Sequence, residues 1–433
     1  MNGHSRRRGL ILAALVSFSV LGSAFLHHQT AWGKSLFVLN VESPGKGVYT
    51  QGFSSAGDLS SNLKIDVITA HLGPTFNRDA DPVNITLNYR GLPIYGSFPT
   101  GANASHLTLT IPAIGVQQTF AGSSRGQSLE MLEDWFKREG GNALSKLQQY
   151  LVEHTSTDPI AGNPSSMMGQ MVRSHYDTSV TGQTTRIEPV AEAEQKIKNS
   201  NLLSLGITYG NIRASGFDGS YYSLPLSYTI RWSEDSRKGF TIKLPISMVE
   251  IEGAKSYHVG LGAFLSWPIN PRWVITPGVL YGFMGSPDMG SAAQMASASI
   301  SSVYTWDLGR DWQLSLGNMI GYLRTLEFEY GGYKFDPKIE NTVFRNGLML
   351  SVPTDKMLAD SLVEIFFVDT RYIGSALRER SYEEVGLAFG YRKFQSEKLP
   401  DVIVRTVRNL RLGVSYIWGV HTSVIEANFG FTF

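Results

Sequence analysis

The last ten residues, 424–433, alternate strictly in polarity. Ile425, Ala427, Phe429, Phe431 and Phe433 fall on one side of an extended chain, and Val424, Glu426, Asn428, Gly430 and Thr432 on the other. Successive side chains of a strand point to opposite faces, so this stretch has one apolar face and one polar, small-residue face. Such a strand can be half-buried in a soluble β-sandwich. It can equally be part of a barrel wall with lipid outside and water inside.

The preceding residues repeat the pattern. Twelve strand-like segments follow residue 200: 201–214, 220–233, 239–252, 257–267, 273–284, 293–306, 312–328, 338–352, 361–374, 382–394, 409–418 and 424–433. The number is even and the spacing is near twenty residues, as spans of roughly ten residues plus turns require. Val385, Leu387, Phe389 and Tyr391 alternate with Gly386, Ala388, Gly390 and Arg392. Leu412, Val414, Tyr416 and Trp418 alternate with Arg411, Gly413, Ser415 and Ile417. Trp273, Ile275, Pro277, Val279, Tyr281 and Phe283 form another apolar row, whereas Asn318 and Arg324 interrupt the row that starts at Trp312. Trp267 and Trp273 flank one short turn, Trp306 and Trp312 flank a second, and Trp232 precedes a third. Indole rings favour the membrane–water boundary, and counting strands puts all three turns at the same end. On the opposite rows the charges expected inside the lumen are Arg392, Arg411 and Glu426, with Glu364 and Arg371 as further candidates. They would hold a plug helix, set ion preference, or serve as solvated charges that stabilise the wall.

The terminal alternation ending in Phe433 resembles the C-terminal signature of bacterial outer-membrane β-barrels. The resemblance implies that this strand closes the barrel. It also implies that Phe429, Phe431 and Phe433 form a signal read by the β-barrel assembly machinery, with periplasmic chaperones and outer-membrane lipid as further partners. Trp232, Trp267, Trp273, Trp306 and Trp312 would be the aromatic girdle on the periplasmic side. The loops 285–292, 331–338 and 375–383 would then face outside. The long connection 395–409, with a short helix at 401–408, would be periplasmic.

The start of the chain has the parts of an export signal over residues 1–33: a basic Arg6, Arg7, Arg8, an apolar run from Gly9 to Phe25, and small residues around Trp32. Beyond it no run of 18 apolar residues occurs, which excludes helical membrane spans. A formal charge of +1, from 38 basic and 37 acidic residues, offers no basic stripe for nucleic acid. The chain has no cysteine, so disulfides and thiol chemistry are excluded, and neither a cofactor nor a metal motif is apparent.

Residues 34–154 read as a small α+β domain. Strands are expected at Ser35–Val41, Asn62–Ala70, Val83–Tyr89 and Ser105–Ile111, followed by helices at Ser128–Glu139 and Asn142–His154. Gly122-Ser-Ser-Arg-Gly126 matches the nucleophile-elbow pattern, with Ser124 as the nucleophile and Asp158 and His175 in the right chain order. No βαβ repeat surrounds it, and Ser128 reads as an N-cap for the helix that follows. Residues 155–184 read as a polar loop in which Met167, Met168 and Met171 pack locally. Glu188–Lys198 reads as a polar helix with acids early and lysines late.

A polar helix placed before a twelve-strand barrel resembles the translocator domain of autotransporters, whose linker helix runs through the lumen. The upstream domain departs from that family: it is short and lacks β-helix repeats. The expected organisation is a C-terminal transmembrane antiparallel β-barrel over 201–433, a linker with a short helix over 155–200, and a small N-terminal domain. Three functions fit this organisation. The first is an autotransporter-like anchor for the chain's own N-terminal domain. The second is a pore or uptake channel with that domain in the periplasm, and the third is a hydrolase at the barrel rim.

Overall fold

In the computed structural model of the chain, residues 35–138, 141–184, 201–232, 237–354, 361–391 and 411–432 are described. The signal-like segment, the helix expected at 188–198, the connection 395–409, Arg392 and Phe433 lie outside them.

The N-terminal domain is a six-stranded antiparallel sheet. Its strands are β1 (Phe37–Ser43), β2 (Gly47–Phe53), β3 (Val83–Tyr89), β4 (Leu92–Phe98), β5 (Leu107–Ile111) and β6 (Val116–Phe120), in spatial order β2-β1-β3-β4-β5-β6. Alternation sorts its residues. Phe37, Leu39, Val41, Leu87 and Tyr89 are buried on one face, where they meet the helices. The strand expected at 62–70 is instead split between two short helices, α1 (Ala56–Asn62) and α2 (Ile65–Leu72). Ser55 caps α1 by accepting from the Asp58 amide at 3.0 Å. In α2 the i, i+4 pair Ile68 and Leu72 is buried, and that packing overrides the β preference of Ile65, Val67 and Ile68. Two longer helices, α3 (Arg125–Arg138) and α4 (Gly141–His154), follow the sheet much as the apolar spacing predicts.

The segment expected to be a loop over 155–184 contains an 18-residue helix, α5 (Met167–Thr184). Its polar composition hides it from a search for a single apolar stripe, because its surroundings are themselves polar. No helix among the described residues is long and apolar enough to cross a membrane.

The rest of the chain is a closed barrel of twelve antiparallel strands. In chain order these are β7 (Asn201–Ala214), β8 (Phe217–Arg231), β9 (Gly239–Ile251), β10 (Ala254–Asn270), β11 (Trp273–Ser286), β12 (Ser291–Gly309) and β13 (Trp312–Leu326). A two-stranded arm, β14 (Phe328–Tyr330) and β15 (Tyr333–Phe335), projects from the loop after β13. The wall resumes with β16 (Glu340–Pro353), β17 (Ser361–Gly374), β18 (Ser381–Tyr391), β19 (Arg411–Trp418) and β20 (Thr422–Thr432). The terminal strand pairs with β19 on one side and with β7 on the other, Phe429 lying opposite both Leu412 and Ile207. That second pairing removes the sheet's edges.

The outer surface has the alternation the sequence demands: Ile425 and Phe429 are 56% and 38% exposed, whereas Val424 and Glu426 are 1% and 2% exposed. Trp232, Trp267, Trp306 and Trp312 line one end along the arc from β8 to β13. Trp273 joins them, half-buried, with its indole N–H donating to Ser302 Oγ at 2.8 Å. Tyr209, Tyr222, Tyr257, Tyr281 and Tyr322 form a second arc nearer the other end. Leu, Ile and Val fill the band between them. The outward charges on the strands, among them Arg213, Glu250, Arg324 and Arg371, gather beyond the tyrosines. Arg371 therefore does not face the lumen; its side chain is 63% exposed and pairs with Asp369 at 3.0 Å.

Candidate functional site: the helix in the lumen and the cap at its mouth

The hairpin turns at 215–216, 252–253, 287–290 and 419–421 share one end of the barrel, and the N-terminal domain caps that end. The contact begins at the tip of the β3–β4 hairpin. Arg90 and Gly91 both have positive φ, 54° and 94°, as a tight two-residue hairpin turn requires. The tip drives Arg90 into the mouth, where its guanidinium meets Asp158 at 2.9 Å and donates to Ser291 Oγ at 3.1 Å. Both charged side chains are almost wholly buried, at 0% and 1% exposure. Burial pushes the Asp158 carboxyl up, against the opposing pull of Arg90. Beside it Tyr89 donates to the Met289 carbonyl at 2.8 Å, and burial raises its hydroxyl to about 12.

Backbone contacts extend the seam. The Ala56 amide donates to Asp288 O at 2.7 Å, Arg378 N to Val152 O at 3.0 Å, and Glu379 N to Gly162 O at 3.1 Å. The β14–β15 arm grips the cap from the side. Tyr333 and Phe335 bury against Leu144 of α4, and the Lys137 ammonium lies 5.7 Å from the Tyr333 ring.

From this mouth α5 descends into the lumen. Met167 and Met171 lie against Gly282, high on β11, and Tyr176 reaches Gly317 and Gly347 further down. At both levels the wall has glycine where the helix is bulky. A Cβ on Gly282 would stand 2.9 Å from Met171 Sδ, and one on Gly317 would stand 2.5 Å from the Tyr176 hydroxyl oxygen.

Polar contacts fix the helix's rotation. Arg173 grips Glu426 of β20 with both terminal nitrogens, at 2.6 and 2.7 Å, and lies 3.5 Å from Glu384 of β18. Glu384 also accepts from Arg345 of β16 at 2.7 Å. The Arg345 guanidinium returns to the helix 5.0 Å above the ring of Tyr176, three residues after Arg173 and thus on the same side. Bidentate guanidinium–carboxylate pairing gives direction as well as energy.

On the other sides of α5, His175 lies 2.8 Å from Ser297 Oγ and 2.7 Å from Ser299 Oγ, both of β12. Lys243 of β9 donates to Ser174 O at 3.1 Å and to Thr178 Oγ1 at 3.0 Å. Gln170 meets His258 Nδ1 at 2.8 Å and also accepts from Ser247.

Of the charges expected inside the lumen, Glu426 meets α5. Glu364 and Arg411 are inside but lie 3.9 Å from each other, wall to wall. The central residues Arg173, Glu384 and Arg345 were missed. Arg173 lies in a stretch that reads as a polar loop, and Glu384 and Arg345 are single charges in strands whose apolar rows carry the pattern. A signal was present: each lies on the small-residue row of its strand, where a lone charge needs an opposite charge facing it.

The elbow-like Ser124, Asp158 and His175 are not brought together. Ser124 is the cap of α3, its Oγ accepting from the Gln127 amide at 3.2 Å. Ser128, expected to be that cap, is buried; its hydroxyl accepts from the Gly122 amide at 2.9 Å and shares its one proton between Ser105 O and Phe120 O. Asp158 is engaged by Arg90, and His175 by two wall serines. No cluster of metal-ligating residues occurs among the described residues.

An even number of antiparallel strands, full closure and an apolar outer band between two aromatic arcs meet on one wall. The wall is a β-barrel of the outer-membrane kind. Solved structures similar to the chain include the beta domain of the Bordetella autotransporter BrkA, at 13% identity and a TM-score of 0.40, covering 54% of this chain and 99% of that one. The translocator domain of autotransporter NalP from Neisseria meningitidis is similar at 12% identity and a TM-score of 0.36, covering 60% and 99%. The KdgM porin is similar at 11% identity and a TM-score of 0.31, covering 53% and 99%. No family model and no curated protein matches the sequence.

Proposed function

We propose that the chain is an autotransporter-like outer-membrane protein whose barrel anchors the chain's own small N-terminal domain at the outer mouth. One observation carries this reading. The cap sits at one end of the barrel, β7 starts at the other, and α5 lies inside the lumen between them. An 18-residue helix is about 27 Å long, close to the thickness of a bilayer's hydrocarbon core. A chain that enters the wall at one end and carries its folded domain at the other has passed through the pore. In this reading the chain passes through the pore before the cap folds.

The start of β7 and the end of β20 lie on the same side; taking that side as the side of assembly, this reading has the capped mouth external. In this reading residues 1–33 direct export and are removed, and Phe429, Phe431 and Phe433 serve recognition by the assembly machinery. Glu426 holds the helix, and Arg411 braces the wall below it. The lumen contacts count against an open uptake channel, since α5 is bonded to β9, β10, β12 and β20.

Protease treatment of intact cells tests the reading, with an epitope tag inserted near residue 125. Loss of the tag while the barrel fragment survives supports the external cap. Protection until the outer membrane is opened would overturn it in favour of a periplasmic domain on a channel.

A further inference from the structure

The sheet of the cap has a second face, turned away from the helices and the barrel. Asn40, Thr86, Tyr95, Thr108, Thr110 and Thr119 lie on it, spread over five strands. The cross-strand register aligns Thr86 with Tyr95, Tyr95 with Thr110, and Thr108 with Thr119. Threonine on an exposed strand is unremarkable by itself, because its branched side chain suits the pleat. The absence of charge is not explained that way. Residues 91–124 contain no Asp, Glu, Lys or Arg, although 34–90 and 125–154 of the same domain contain many. Among the described residues of this face, Glu42 near the end of β1 is the one charge. Solvated sheet faces ordinarily carry charges of both signs, which favour solubility and discourage self-association.

What the face offers instead is hydroxyl and amide groups, each able to donate and to accept, around one aromatic ring. Tyr95 is 42% exposed on a central strand. Its neighbours are already partly satisfied across the strands, Asn40 donating to Thr50 Oγ1 at 2.7 Å and Thr108 lying 3.1 Å from Thr119, oxygen to oxygen. Those two pairs are thereby oriented with hydrogen-bonding capacity left over.

We propose that this face binds an uncharged polysaccharide chain. A sugar ring presents the complementary surface. Its hydroxyls match mixed donors and acceptors, its C–H face stacks on an exposed tyrosine ring, and its neutrality suits a face that offers no counter-charge. A charged polymer would leave its charges unpaired there. The inference rests on the fold of the cap and not on which side of the membrane it faces, so it stands or falls separately from the proposed topology.

The test uses the full-length protein in detergent, passed over immobilised dextran, mannan, galactan and amylopectin, with dextran sulfate as a charged comparison. The expected result is retention on at least one neutral polymer. Tyr95→Ala and Thr86→Lys should each weaken it roughly tenfold, the worth of one aromatic contact or of one hydrogen bond lost beside a misplaced charge. Glu130→Lys, on the exposed side of α3, should leave it unchanged. Protease resistance of the cap verifies that each variant is folded. Retention on dextran sulfate alone would overturn the proposal. So would no retention on any polymer, equal retention by folded Tyr95→Ala and Thr86→Lys variants, or light scattering showing that the face is occupied by a second copy of the chain.

Discussion

The cap sheet and the barrel wall are both antiparallel and alternate with the same period, yet the wall's hidden row mixes charged and hydroxyl side chains with apolar ones, whereas the cap's is almost wholly apolar. In the cap the hidden row is Phe37, Leu39, Val41 and Leu87, pressed against helices, and the polar row faces water. In the wall the hidden row includes Lys243, Ser297, Arg345, Glu384 and Glu426, and the apolar row is outside. The difference shows that alternation alone does not say which row is inside. The medium around the sheet decides: water drives apolar groups inward, whereas lipid leaves them out and confines polar groups to a lumen where they must find partners. In this protein α5 is that partner.

The polar centre of the lumen should fail first. Arg173→Met leaves Glu426 and Glu384 without the cation between them, and losing one member of a buried ionic network costs roughly 3–5 kcal/mol. Urea titration in detergent should show a second, earlier transition for α5 and the cap, while the barrel still migrates as a folded band on unheated gels. A single unchanged transition would mean that the helix is held by packing alone.

The apolar centre should fail differently. Leu39→Ala, at a fully buried position, should cost the cap about 2–5 kcal/mol and leave the barrel untouched. Limited proteolysis would then digest residues 35–154 selectively; simultaneous loss of the barrel would mean that the two regions are one cooperative unit.

The fit of helix to wall is a smaller effect. Gly317→Val places methyl groups where the Tyr176 phenol lies, with an overpacking cost of roughly 1–3 kcal/mol. The expected readout is raised single-channel conductance in planar bilayers, and unaltered conductance would show that the helix can shift without opening a path. Ser124→Ala should cost about 1 kcal/mol by removing the cap of α3. It should leave ester hydrolysis at the background level of the unaltered protein; a measured drop in hydrolysis would revive Ser124 as a nucleophile.

The smallest effect concerns acid. The Asn77 amide donates to Asp81 at 2.7 Å and holds its carboxyl below the usual aspartate value of 3.8, helped by Lys46 and opposed by slight burial. A folded value below the unfolded one adds stability above pH 3.8 that is lost as pH falls through the folded value. Cap stability followed from pH 5 to 2 should therefore fall less steeply in Asp81→Asn than in the unaltered chain. Parallel curves would show that the acid limb has another source.

Much of the wall could be read before any coordinates. β7 and β17 have the expected bounds, and the Trp-flanked turns share one end, because a lipid-facing row leaves a periodic trace in every strand. The candidate site was less legible. Glu426 could be placed inside from its row, but Arg173 belongs to a helix that looks like a loop. Its stabilising partners lie on β18 and β20, more than 200 residues away in the chain. The helix α2 likewise reads as a strand in the sequence, since residues 62–70 are rich in β-branched side chains and its helical burial is set by the sheet beneath.

Periodicity along the chain fixes the two-residue alternation and the number of wall strands, since both depend only on neighbours in sequence. The tertiary structure decided what fills the lumen, which charges meet there and where the cap sits. Those are contacts between segments far apart in sequence, and a polar helix is stable at membrane depth only because a closed wall surrounds it with matching polar groups.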